Sequence, residues 1–222
     1  FIFESVEKGV IKGRYTIFGK NPDKIWEFNN DNIYYLNKNK KRKIKGDPVK
    51  IINNIIKNFN FKTPKRLPPL CSLLAGYFSY DTIRYFEKIK DTCIDDLKIP
   101  DIRIMRPTTL VIHDNLQKKI FFIKNCFSDK KISNYKKKYN DIKDELNNII
   151  IQSKISTSYC DKKLVKKTIK SNISKKKFLE NVKKAKKYIQ IGDIFQVVLS
   201  QRFETKLTKK PLSIYKRLRL TN

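Results

Sequence analysis

Ile191-Gly192-Asp193-Ile194-Phe195-Gln196-Val197-Val198-Leu199-Ser200-Gln201-Arg202-Phe203 is the run on which the reading of this chain turns. Before it, Phe178, Val182, Ala185 and Ile189 recur at three- and four-residue spacing, which predicts one apolar face of a helix. Ser174 is the N-cap expected of that helix and Gly192 its terminator. Ile194–Phe203 then reads as a strand, because Phe195, Val197 and Leu199 alternate with Gln196, Val198 and Ser200. Gln201-Arg202 stands at its exit, a polar pair that first suggests an active-site motif. Beyond it, Pro211 opens a last helix through Ile214, Tyr215 and Leu218.

Working back to the start, Phe1–Val6 is a short β-type run, and Gly9 and Gly13 bracket a turn. Arg14–Phe18 predicts a second strand that breaks at Gly19-Lys20-Asn21-Pro22. Ile25–Phe28 and Ile33–Leu36 flank Asn29-Asn30-Asp31-Asn32 as a hairpin, and Lys38–Lys45 reads as a basic, solvated loop. Asp47-Pro48 pairs an N-cap with a first-turn proline, and Val49, Ile52, Ile55, Ile56 and Phe59 give the helix that follows one apolar face. Pro64, Pro68 and Pro69 form a stiff connector. Leu73–Tyr80 reads as a buried strand in which Gly76 allows close backbone approach or a bulge, and Asp81 as the cap of a short helix. Asp91–Arg106 reads as a loop. Thr108–His113, a turn at Asp114-Asn115 and Lys119–Lys124 make a second hairpin. From Ser128 a stripe of Ile132, Tyr135, Tyr139, Ile142, Leu146 and Ile149 predicts a helix, and Ser153–Asn172 a linker. The expected organisation is a sheet-rich region over 1–127, a helix and linker over 128–172, and the start of another domain over 173–222. The class is α+β, with antiparallel sheets packed on each other and helices outside.

With 222 residues, 40% of them hydrophobic, the chain is long and apolar enough to bury a core. The net charge of +30 raises the question of a nucleic-acid partner. Its distribution argues against a specific one. Lysines are spread over every segment together with an excess of Ile and Asn, a mixture that A/T-rich codons produce, and Arg is scarce beside Lys. What remains is non-specific adhesion to polyanions at low salt. Cys71, Cys93, Cys126 and Cys160 lie far apart with no paired spacing, which reads as reduced cytosolic thiols and not as a zinc site. No apolar run approaches the ~20 residues of a membrane span. Phe1 already lies in an apolar run and Asn222 follows an unfinished helical pattern, so a piece of a longer protein is expected.

No catalytic constellation is visible. His113 is the one histidine and no Ser or Cys is nominated as its nucleophilic partner. Asp95-Asp96 and Asp144-Glu145 sit in loop and helix-surface contexts, unlike a metal cage. No glycine-rich phosphate loop is present.

Five segments in order nevertheless resemble the anthranilate synthase component I family of chorismate-utilising enzymes. Gly192–Phe203 resembles the signature that opens the family's chorismate-binding domain. Phe3-Glu4-Ser5-Val6-Glu7 is similar to its Leu-Glu-Ser-(Ala/Val)-Glu segment, and Gly13–Gly19 to its Gly-Arg-Tyr-Ser segment. Ala75–Asp81 with Arg84–Glu87 is similar to its Gly-Tyr-Phe-Gly-Tyr-Asp and Arg-Tyr run, and Pro107–Asp114 to the hairpin strand that follows. Ser79, where the family usually has Gly, is the main departure.

The resemblance implies conversion of chorismate and ammonia to anthranilate and pyruvate, with Mg2+ as cofactor. It implies a partner glutamine amidotransferase subunit supplying the ammonia, a cytoplasmic location, and feedback inhibition by tryptophan. The family's metal ligands and catalytic residues fall outside 1–222, so no catalytic or metal residue is expected in this chain and the piece alone is expected to be inactive. The effector site does reach it: Glu4 and Ser5 match one side, and Asn222 matches the opening Asn of the other. Aminodeoxychorismate synthase component I is the nearest alternative, but it tends to Tyr-Gln-Val-Asn where this chain has Phe195-Gln196-Val197-Val198. A basic nucleic-acid-binding protein and a free-standing amino-acid-binding module are alternatives of other classes.

Overall fold

A computed structural model describes residues 1–5, 13–30, 32–37, 40–127, 134–154, 168–207 and 209–221. The chain divides into two compact units, Phe1–Ser156 and Thr157–Asn222. Antiparallel sheets with helices, the α+β class, make up both.

The first unit is built on a seven-stranded antiparallel sheet. Its strands are β1 (Ile2–Phe3), β2 (Tyr15–Asn29), β3 (Asn32–Asn37), β4 (Lys40–Ile44), β5 (Ala75–Phe78), β6 (Ile102–Asp114) and β7 (Lys119–Lys124). The order β4-β3-β2-β6-β5 is extended by β1 on β2 and β7 on β6. β2 and β6 are the long central pair, in register from Tyr15↔Asp114 to Phe28↔Ile102. Helix α1 (Pro48–Asn58) begins as its sequence dictates: the Asp47 carboxylate accepts from the Lys50 amide at 2.8 Å. Its Ile52 and Ile55 bury against Phe28, Ile33, Ile102 and Ile104. Each such side chain stabilises the fold by about 1.5–3 kcal/mol. Along the same side of β6, Leu110 and Ile112 pack with Ile17, Ile123 and Cys71, under Leu67, Leu70 and Leu73.

Several local expectations are corrected, each for a visible reason. The break expected at Gly19–Pro22 is a bulge inside one continuous strand. Pro22 lies opposite Pro107 where neither can donate, and the register shifts so that Asp23 has no residue opposite it. Asn21 takes the left-handed conformation (φ 52°), and its carbonyl accepts from the Thr108 hydroxyl at 2.6 Å. The extra residue is held too. Arg106 donates through Nε to Asp23 at 2.8 Å while its guanidinium lies 4.1 Å from the Phe127 ring centre. The basic loop expected at Lys38–Lys45 contains β4, an exposed edge strand; consecutive cations there keep an open sheet edge from recruiting another chain. The loop expected through Arg106 ends at Ile102, because Ile102 and Ile104 alternate with Arg103 and Met105 and continue the core side of β6.

Leu73–Tyr80 is strand only over Ala75–Phe78, and past Ala75 it is exposed, since it borders β6 on one side alone. Asp81 is not the cap of the 3-10 helix Tyr80–Tyr85. Ser79 holds that position, and Asp81 instead accepts from Arg84 Nε at 3.0 Å. Helix α2 (Tyr135–Ser153) begins at Asn134, whose side chain accepts from Lys137; Ile132 of the predicted stripe lies outside the described residues. Tyr135 and Tyr139 stay exposed, and α2 is tied to the sheet by Lys124, which donates to Glu145 at 2.7 Å and to the buried Thr109 at 3.1 Å.

In the second unit, β8 (Lys170–Ser171) pairs with β9 (Phe203–Glu204) around α3 (Lys175–Gln190), followed by α4 (Pro211–Thr221). Most of the expected linker, 155–167, lies outside the described residues; Lys170–Ser171 at its end is strand. Ser174 caps α3 by accepting from Lys177 at 3.2 Å. At the other end Gly192, with φ 83°, donates to the Ile189 carbonyl and Asp193 to that of Tyr188, the paired closure of a Schellman turn. The strand expected from Ile194 is absent except for Phe203. A strand exists by pairing, and among the described residues the β8–β9 ladder takes in only Phe203 and Glu204, with Arg202 bonded to Asn172 just before it. Phe195 is accordingly fully exposed and Val198 is 82% exposed.

Candidate functional site

Glu4 and Ser5 directly follow β1, the short strand that lies on β2 through Ile2↔Phe18 and Phe3↔Ile17. Glu4 is half-buried and Ser5 exposed. The Gly19 amide donates to the Phe1 carbonyl at 3.0 Å, and the ring of Phe1 lies where a side chain on residue 19 would stand. Glycine at 19 thus leaves room for the Phe1 ring to pack directly over β2 at that position. Asn222, the third expected effector residue, lies outside the described residues.

The Gly-Arg-Tyr segment is an anchor at the start of the same strand, just before the residues on which β1 lies. Arg14 donates to Asp114 from Nε at 3.1 Å and from a terminal nitrogen at 2.8 Å, and its guanidinium lies 4.8 Å from the Tyr15 ring centre. Asp114 is buried and also accepts from the Leu116 and Gln117 amides at 3.0 Å each, so it closes the β6–β7 turn while holding Arg14. The Arg14 hydrogen bonds lower the Asp114 carboxyl to about 2, against the opposing effect of burial and with help from the Gln117 and Leu116 amides. Asn115 completes the clamp, its amide donating to the Arg14 carbonyl at 2.7 Å and its side chain to the Gly13 carbonyl at 3.1 Å.

The Ala75–Glu87 segment is held by one residue that sequence reasoning passed over. Asp101 accepts from the Tyr85 hydroxyl at 2.8 Å and from the Asn30 amide at 3.0 Å through its carboxylate. Its carbonyl accepts from the Ser79 amide at 2.7 Å, and its amide donates to the Phe28 carbonyl at 2.8 Å. An isolated Asp before an apolar alternation carries no signal of this; only the meeting of three distant segments reveals it. Arg84 is likewise committed locally, to Asp81 and to the carbonyl of Lys90 at 2.7 Å.

The departure at Ser79 has a cost. Its hydroxyl is buried with no hydrogen-bond partner, and it makes no bond to the helix it precedes. Its backbone (φ −74°) suits any residue. Ser79→Ala is therefore expected to leave stability unchanged or raise it by up to about 1 kcal/mol. A chemical-denaturation midpoint below that of the unaltered protein would show that the hydroxyl is satisfied in solution.

Gln201 and Arg202 make structural contacts. Gln201 donates to the Ser171 hydroxyl at 2.7 Å, the Arg202 amide to the Asn172 side chain at 2.9 Å, and Arg202 pairs with Glu204 at 2.8 Å. They hold β9 beside β8. His113 is half-buried in β6 between Thr16 and Ile120. Among the described residues no group of three or more His, Cys, Asp or Glu side chains could hold a metal ion. No helix there is long and apolar enough to cross a membrane.

Comparison with known proteins places these segments. The profile of the chorismate binding enzyme family matches residues 12–222. Anthranilate synthase component 1 of Acetivibrio thermocellus is 36% identical over all of this chain and 46% of its own length. That of Aquifex aeolicus is 35% identical over 79% of this chain and 36% of its own length. The crystal structure of anthranilate synthase component I from Streptococcus pneumoniae superposes with a TM-score of 0.77 at 26% identity, over 100% of this chain and 47% of that one. The chain thus spans about half the length, or less, of these relatives. The clamp at Gly13–Tyr15, the Ala75–Asp81 segment and the Gly192–Phe203 run all fall inside the matched span, and the chain belongs to the chorismate binding enzyme family, alongside anthranilate synthase component I.

Proposed function

We propose that the protein carrying this chain is the large subunit of an anthranilate synthase, which converts chorismate and ammonia to anthranilate, pyruvate and water for tryptophan synthesis. The observation that carries the reading is the match to anthranilate synthase component I along the whole chain, in sequence and in fold. Phe195-Gln196-Val197-Val198 favours it over an aminodeoxychorismate synthase. Ammonia would come from a glutamine amidotransferase partner. Free thiols at Cys71, Cys93 and Cys126 suit a reducing cytoplasm.

The described residues do not fit the Mg2+ that such chemistry implies: no group of three or more His, Cys, Asp or Glu side chains among them could hold it. Residues 1–222 by themselves are proposed not to turn over chorismate. Glu4 and Ser5 would hold tryptophan, the carboxylate taking its α-ammonium and the hydroxyl a second polar group.

The complete natural protein should release fluorescent anthranilate when given chorismate, an ammonium salt and Mg2+. Formation of 4-amino-4-deoxychorismate alone would overturn the family-level reading. Ser5→Ala should raise the tryptophan concentration needed for half-inhibition by about tenfold, the effect of losing a ligand hydrogen bond worth ~1.4 kcal/mol. An unchanged inhibition curve would remove Ser5 from the effector site.

A further inference from the structure

Helix α2 is poorly supported as a helix in its own right. Lys136, Lys137 and Lys138 fill its first turn, where the helix dipole favours anions, and that turn has no acidic residue to offset them. Its last turn has no basic residue. Asn140, Asn147, Asn148 and the β-branched run Ile149–Ile151 are weak helix formers. Such a helix depends on packing, yet none of its residues is buried, and Tyr135–Asp141 is exposed throughout.

Ile142, Glu145, Leu146, Ile149 and Ile150 are its half-buried positions, and their spacing puts them on one face. On that face Glu145 accepts from Lys124 at 2.7 Å, and Lys124 also donates to the buried Thr109 at 3.1 Å. Thr109 and Lys124 lie directly opposite each other in the β6–β7 ladder. Strand alternation turns Thr109 away from Leu110 and the core, so α2 lies on the side of the sheet that α1 does not cover. The Lys124 side chain is 16% exposed and that of Glu145 37%, so the cation is the more enclosed partner. Without the carboxylate, α2 would cover an ammonium held by a hydroxyl alone, and lifting the helix to admit water becomes the cheaper state.

We propose that α2 is a latch: the Lys124–Glu145 pair holds it on the sheet, and it docks and winds, or lifts and unwinds, as one unit while the sheet stays intact. The helix ends at Ser153, shortly before the first unit ends at Ser156. Its release therefore adds its 19 residues to the connection between the two units, and the ion pair sets the length of that tether.

The test is hydrogen exchange of the complete natural protein, read peptide by peptide. Glu145→Gln, Lys124→Met and the two combined are compared with Glu180→Gln, which removes an exposed pair in α3. Glu145→Gln and Lys124→Met should each speed exchange over 135–153 about tenfold, the effect of losing a charge-assisted hydrogen bond, with β2 and β6 unchanged. The combined variant should exchange about as fast as either single one, because the pair acts as one unit. Glu180→Gln should leave α2 as it is. Unchanged exchange over 135–153 in Glu145→Gln and Lys124→Met would overturn the latch. So would equal acceleration of β6, since α2 would then open only with the sheet, or a combined effect near the product of the two, since the residues would then act separately.

Discussion

Gly76→Ala is expected to unfold the first unit or cost it about 3 kcal/mol or more, the severe end of single-residue effects. The reason is steric. Gly76 lies opposite Ile104 in the β5–β6 ladder, and a Cβ there would overlap the Arg103 carbonyl oxygen and come within 2.9 Å of the Ile104 Cα. These neighbours are backbone atoms, which cannot swing aside as a side chain would. They belong to β6, which is paired with β2 along twelve positions and with β7 along six, so moving it would break the centre of the sheet. Gly192 makes the useful contrast. It has open space around its missing Cβ but a φ of 83°, so Gly192→Ala costs only the left-handed conformation, about 1 kcal/mol. Thermal melts of the two variants should differ sharply. A Gly76→Ala melt as mild as that of Gly192→Ala would mean that β5 can lift from β6 without loss, and the close approach would not be a constraint.

That contrast also marks what can be read from the chain alone. Gly76 is legible as a point of close backbone approach because a glycine inside an apolar run marks a place with no room for a side chain, and Gly192 because it follows a periodic helix. Helix caps at Asp47 and Ser174 are legible because the signal and the structure it specifies lie within four residues. Features decided across long separations are not. Pro22 looks like the end of a strand, and only its placement opposite Pro107, with Arg106 holding the extra Asp23, shows that the strand continues. Lys40–Lys43 looks like a loop because edge strands carry cations for a reason unrelated to strand propensity. Ile194–Arg202 has every local mark of a strand and is not one among the described residues, since pairing partners are no part of local sequence. The functional reading divides in the same way. Ordered motifs locate the family, but the physical roles of Asp101, Arg84 and Gln201 emerge only from their contacts.

Loss of the Arg14–Asp114 pair is the second large effect expected, and its pH dependence carries a definite sign. Asp114 is buried, yet its carboxyl titrates at about 2 in the folded chain against an ordinary 3.8, because Arg14 and the Leu116 and Gln117 amides all donate to the ionised form. A depressed carboxyl stabilises the fold above its unfolded value and ceases to do so as pH falls through its folded value. The contribution should therefore be complete above pH ~5 and fade between about 4 and 2. Arg14, raised by the same hydrogen bonds, keeps its proton throughout this window. Arg14→Ala and Asp114→Asn should each lower the melting midpoint at pH 7, and each should show a shallower loss of stability between pH 4 and 2 than the unaltered protein. Arg14→Ala is the harsher case, because it leaves a buried carboxylate with two backbone donors and no cation. Combining both changes should cost less than the sum of the two, since the pair acts as one unit. Parallel stability–pH curves for all variants would show that Asp114 is not held low by Arg14. The pairing would then cease to explain why the Gly-Arg-Tyr segment, remote from any assembled chemistry in this chain, reads as a family mark: it is the residue 13–15 half of a clamp that fixes where β2 begins on β6.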